Sequence, residues 1–90
     1  MKVLLYTKPN CVQCDMTKKA FDKGNVKYEV IDLTDRPETA KSLQDNHGVS
    51  SAPVVMYERD GKLNIWAGFK YDLIQGLIKQ VHAEGATKSA

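Results

Sequence analysis

Two residues carry the chemistry open to this chain. Cys11 and Cys14, spaced C-x-x-C, are its two cysteines. Thiols at that spacing can join as a disulfide, hold a metal, or pack as small hydrophobes. A structural zinc usually takes four ligands, and the remaining candidates, His47 and His82, lie far from the cysteines and from each other along the chain. Both histidines read as polar residues at helix ends. No metal is expected, and C-x-x-C beside a β-α-β pattern points to thiol–disulfide exchange.

That chemistry depends on where the pair sits. Val3 to Tyr6 is a short apolar run suited to a buried strand, and Thr7-Lys8-Pro9-Asn10 has turn chemistry, with Asn10 as a helix N-cap. From Cys11 to Lys23 the pattern becomes helical, with Cys14, Thr17, Ala20 and Phe21 on one face and Lys18, Asp22 and Lys23 left for solvent. The first turn of a helix offers unpaired N–H groups and a partial positive charge. A thiolate formed at Cys11 is therefore stabilised, and the thiol should titrate below the free value of about 8.5. Positions i and i+3 share a face, so the two sulfurs can meet. Cys11 is assigned as the nucleophile that attacks a target disulfide, and Cys14 as the resolving thiol that releases the reduced target. Val12 and Gln13 add no charge, and their backbone N–H groups should tune the potential. Lys8 and Lys18 are thiolate-stabilising candidates, or else solvated surface lysines. Asp15 opposes a thiolate at Cys14 unless it faces solvent or pairs with Lys18 or Lys19.

The rest of the chain supplies a frame. Gly24-Asn25 ends the first helix. Val26 to Asp32 alternates as a second strand, nearer an edge than the first, with Val26, Tyr28 and Val30 on one side. Asp35-Arg36-Pro37-Glu38 reads as an acidic cap and first turn, with Ala40 and Leu43 facing inward and Asn46-His47-Gly48 as the stop. Val54 to Tyr57 is a third strand, Asp60-Gly61 a hairpin turn, and Lys62 to Ala67 a fourth strand. Leu73, Ile74, Leu77, Ile78 and Val81 form the apolar stripe of a last helix. The expected fold class is α/β, β-α-β-α-β-β-α, with a four-stranded mixed sheet flanked by three helices. Helical crossovers make the first three strands mainly parallel. One domain, 1–82, is followed by a flexible polar tail, 83–90. Pro53 is a strand-start proline. Trp66 either packs under a helix or anchors a partner, and Phe69 has the same two readings.

Composition narrows the function classes. Hydrophobic residues make up 42% and charged residues 27%, and the net charge is +2, too weak to favour nucleic acid or an anionic membrane. No apolar run approaches the roughly 18 residues of a membrane span. The run at Val3-Leu4-Leu5-Tyr6 is shorter than the roughly seven residues a signal-peptide core requires. A cytoplasmic location is expected.

These residues resemble the NrdH-type glutaredoxin-like redoxins of the thioredoxin-fold superfamily. The resemblance is carried by Tyr6-Thr7, Cys11-Val12-Gln13-Cys14, Ser51-Ala52-Pro53-Val54-Val55 and Trp66-Ala67-Gly68-Phe69, spread over about residues 2 to 80. It implies a thioredoxin fold, with Pro53 as a cis-proline facing the cysteines and Ala52 and Pro53 offering backbone to an extended partner segment. It implies partner contacts at Val12, Gln13, Trp66, Gly68, Phe69 and Lys70. It also implies a monomer with no bound cofactor that reduces the class Ib ribonucleotide reductase tail, with electrons from NADPH through thioredoxin reductase. The family's W-S-G-F-R-P segment is altered here at Ala67, Lys70 and Tyr71, and the hairpin at Glu58 to Lys62 reads as longer than usual, as would suit a divergent, phage-type member. The alternative is a glutathione-dependent glutaredoxin. Lys8 and Asp72 sit near positions for glutathione's charged ends, but the usual Gly pair is incomplete at Ala67-Gly68.

Overall fold

The structure, a computed structural model, describes residues 2–49 and 51–89, with side chains through Ala83. The chain runs β1 (Val3–Thr7), α1 (Val12–Lys23), β2 (Glu29–Asp32), a 3-10 turn (Leu33–Asp35), α2 (Pro37–His47), β3 (Val54–Arg59), β4 (Lys62–Ala67) and α3 (Tyr71–Ser89). The four strands form one mixed sheet in the order β2-β1-β3-β4. This is the expected α/β arrangement, with β2 at an edge.

One expected direction is reversed. β1 and β2 are parallel, but β3 runs antiparallel to β1. The register shows why. Asp32 leaves β2 opposite Thr7, and Val54 enters β3 opposite Tyr6. The connection through α2 thus leaves and rejoins the sheet at the same end, so β3 runs opposite to β1 and β2. A helix in a connection does not by itself make the flanking strands parallel. β3 and β4 form an antiparallel hairpin, and Asp60 (φ 53°) and Gly61 (φ 76°) make its two-residue turn. The turn itself is tight, so what reads as a longer hairpin is strand.

Opposed residues in neighbouring strands share a face. Leu5 stands between Val30 and Val55, and Val55 faces Trp66. On that side, α1 and α3 cover the sheet with Phe21, Ile74 and Leu77, all fully buried. Gly24 ends α1 where α3 comes closest, and a Cβ there would stand 2.6 Å from Cδ1 of Ile78. The other side is a smaller cluster of Tyr6, Leu33, Leu43 and Val54 under α2.

Several local expectations are corrected. β2 starts at Glu29, and Val30, on this edge strand, is 46% exposed. Asp35 does not cap α2. It ends the 3-10 turn, which Asp32 caps by accepting from Thr34, and α2 begins after Arg36 with Pro37 in its first turn. Leu73 lies outside the apolar stripe of α3 and is exposed, while Ile78 and Val81 pack against the core. α3 spans Tyr71–Ser89. The flexible tail is expected at 83–90, and the side chains of 84–90 lie outside the described residues. Among the described residues no helix is long and apolar enough to cross a membrane.

Candidate active site

The site forms where β1 hands the chain to α1. Asn10 takes a left-handed conformation (φ 57°), which turns the loop sharply. The N-cap is therefore not Asn10 but Cys11 itself, whose backbone is extended (φ −108°, ψ 104°). Its Sγ accepts from the Cys14 N–H at 3.1 Å. Cys11 thus occupies the position where a capping oxygen usually satisfies the helix's free donors. Cys11 and Cys14 are joined as a disulfide, with Cα atoms 5.2 Å apart. Cys14 is 1% exposed, while Cys11 is half-buried and Val12 is 73% exposed. A target can approach Cys11 from outside. Cys14 can be reached only from within the protein, which suits a resolving thiol.

The second wall of the site comes from β3. Pro53 is buried and follows Ala52 through a cis peptide bond. It precedes Val54, which pairs with Tyr6, so it stands at the end of the sheet from which the loop to Cys11 departs. The third part is the segment between β4 and α3. The Gly68 N–H donates to the Pro53 carbonyl at 2.7 Å, and the Phe69 N–H donates to Oε1 of Gln13 at 3.0 Å. Gly68 has φ +85°, a conformation open to glycine without strain. Gln13 is held a second time by its own carbonyl, which accepts from the fully buried Thr17 hydroxyl at 2.8 Å.

The structure therefore gathers Cys11, Val12, Gln13, Cys14, Ala52, Pro53, Gly68 and Phe69 at one end of the sheet. Trp66 does not join them as a surface residue. It is 8% exposed and packs edge-on against Tyr57 (centroids 6.1 Å apart), and its buried indole N–H has no acceptor among the described residues. It supports the segment from beneath, so of its two readings the structure takes packing. Phe69 also packs partly against this core. Lys8 and Lys70 are exposed. Lys18 is half-buried and close enough to Asp32 to help hold that carboxyl below its ordinary value, though hydrogen bonds from Thr34 do most of this. Asp15 faces solvent. His47 is exposed at the end of α2, and His82 meets the Gly24 carbonyl, tying α3 to the end of α1. Among the described residues no three His, Cys, Asp or Glu side chains are placed to hold a metal ion. The Gln13–Phe69 contact joins residues 56 positions apart, and no local sequence signal marks it.

Residues 3–63 match the Glutaredoxin family model. The chain is 36% identical over 86 residues to the glutaredoxin-like protein NrdH of Salmonella typhimurium, an alignment covering 96% of this chain and all of that protein. It has the same identity and coverage with NrdH of Escherichia coli strain K12. The chain belongs to the glutaredoxin family, among its NrdH-type redoxins. The fold agrees. The solved NrdH-redoxin of Escherichia coli superposes with a TM-score of 0.75 at 35% identity, covering 86% of this chain and 95% of that one. This redoxin is accordingly a thiol–disulfide oxidoreductase, and its redox-active pair is Cys11 and Cys14.

Proposed function

We propose that this redoxin is a dithiol electron donor that reduces the active-site disulfide of class Ib ribonucleotide reductase and is returned to the dithiol state by NADPH through thioredoxin reductase. The reaction proceeds in two displacements. The Cys11 thiolate attacks one sulfur of the target disulfide, and the other target sulfur leaves as a thiolate that takes up a proton. Cys14, deprotonated, then attacks Sγ of Cys11, and the first target sulfur leaves. The target gains two electrons and two protons, and the redoxin becomes the Cys11–Cys14 disulfide.

The observation that carries this reading is the hydrogen bond from Phe69 N–H to Gln13. It joins the two segments most specific to the NrdH resemblance, Cys11 to Cys14 and Trp66 to Phe69, into one surface. The solved relative is a glutaredoxin-like protein with a thioredoxin-like activity profile, which supports recycling by thioredoxin reductase over glutathione. In this reading the partner's reactive tail lies extended along the backbone at Ala52 and Pro53, with Val12, Gln13, Gly68, Phe69 and Lys70 around it. The protein acts as a monomer in the cytoplasm without a bound cofactor.

The test is reduction of the oxidised protein by two systems in parallel. One is NADPH with thioredoxin reductase, and the other is NADPH with glutathione and glutathione reductase. Turnover with the first system alone is the expected result, and the ribonucleotide reductase tail is then the substrate to assay. Turnover with glutathione alone would make the protein a glutaredoxin in activity, and the proposal would fall.

A further inference from the structure

Three hydrogen bonds tie together the segments next to the disulfide. Gln13 lies between the two cysteines. Its carbonyl is locked by the buried Thr17 hydroxyl (2.8 Å), and its side-chain oxygen takes the Phe69 N–H (3.0 Å). The preceding amide, of Gly68, points the other way and donates to the Pro53 carbonyl (2.7 Å). Two successive amides thus reach opposite walls, one the active-site helix and the other the start of β3. A Cβ on Gly68 would lie 3.5 Å from the Gln13 oxygen, an ordinary contact, so residues 68 and 69 fit closely against that side chain. Of these bonds, only the one to Phe69 is made by a side chain at the helix surface. Val12, its neighbour, is 73% exposed, so the helix start is otherwise free on its outer side.

We infer that Gln13 is a positioning residue: by holding the Gly68–Phe69 segment against the start of α1, it sets the spacing between Cys11 and the Pro53 strand that a protein disulfide must fit. A protein substrate has to lie along Ala52 and Pro53 and offer its sulfur to Cys11 at the same time. Both walls must therefore be in register before the chemical step, and the effect should appear in binding more than in turnover. The bond from Gly68 to the Pro53 carbonyl does not involve Gln13, so removing the Gln13 acceptor should free one wall only. The inference rests on the thiol–disulfide activity and not on which reductase or reductase tail is the partner, so the two-system assay can fail without touching it.

The test uses the full chain with Gln13→Leu, which removes the acceptor. The probe substrate is insulin, with dithiothreitol as reductant, and exchange of the Phe69 amide is followed by NMR. Loss of one solvent-accessible hydrogen bond should raise KM for insulin roughly three- to tenfold. In the same variant kcat should move much less, and the Phe69 amide should exchange faster. Gln13→Glu, whose carboxylate also accepts from Phe69 N–H, should restore both KM and protection. Should the leucine variant fail to fold, Gln13→Asn gives the same readout, because its amide is one methylene too short to reach. An unchanged KM despite a deprotected Phe69 amide would overturn the inference. So would an amide that stays protected without the acceptor, or a loss confined to kcat, which would place Gln13 in the chemical step.

Discussion

The two faces of the sheet are packed to different standards. On the α1/α3 face, Leu5, Phe21, Val55, Ile74 and Leu77 are fully buried. On the α2 face the core is four residues, and Leu4, Ile31, Ala40, Val49, Met56, Ile65 and Ala67 around it are only partly covered. The redox helix belongs to the first face. Its buried side carries Cys14, Thr17 and Phe21 in succession, so Cys14, the proposed resolving thiol, is part of the packed core, while Cys11 sits where that core ends. Close packing holds side chains in single rotamers. It keeps Cys14 aimed at Cys11, whereas α2 carries none of the assembled site residues and tolerates a looser seat.

The largest expected effect breaks the site itself. Cys11→Ser should abolish disulfide reduction, because the outer nucleophile is gone. Cys14→Ser should leave the first displacement intact and trap a target on Cys11 as a mixed disulfide, visible by intact-protein mass spectrometry. A target trapped instead on Cys14 of the Cys11→Ser variant would reverse the assignment of roles and remove the reason for burying Cys14.

The packing contrast is tested by truncating one residue on each face. Phe21→Ala should cost about 3–5 kcal/mol, since its neighbours have little freedom to collapse into the cavity. Leu43→Ala, although also buried, should cost about 2–3 kcal/mol, because the half-covered residues around it can close in. Urea unfolding of both variants checks this, and equal losses would mean that the two faces are packed alike.

The smallest effect lies at the rim of the tight face. Tyr28 packs against Phe21 with ring centroids 5.4 Å apart, and its hydroxyl donates to Asp22 at 2.9 Å. Burial first, then that hydrogen bond and the Asp22 charge, push the Tyr28 hydroxyl up from 10 to about 12. The folded state thus holds the Tyr28 proton more tightly than the unfolded chain. Stability from this source is complete below pH 10 and declines between pH 10 and about 12. Tyr28→Phe should flatten that part of the stability–pH curve, measured by denaturant titration at several alkaline pH values. An unchanged slope would show that the rim contributes nothing there.

Much of this protein follows from short-range pattern alone. Two cysteines one helical turn apart, after an apolar strand and a turn, define the redox pair. Alternation and helical stripes mark the four strands and three helices, and Asp60-Gly61 marks the hairpin. These signals are local, because strand and helix periods and turn dihedrals depend on residues a few positions apart. Tertiary structure decided the rest. It set β3 antiparallel to β1, because the connection through α2 returns to the end of the sheet it left. It left Val30 exposed and Trp66 buried, although both stand on edge strands, because what packs over a side chain, more than alternation along the strand, decides its burial. It made Cys11 its own helix cap, because Asn10 was needed to turn the loop. It gave Gln13 a partner 56 residues away. An acceptor on one segment and a backbone donor on another become a pair only once packing has brought the two together.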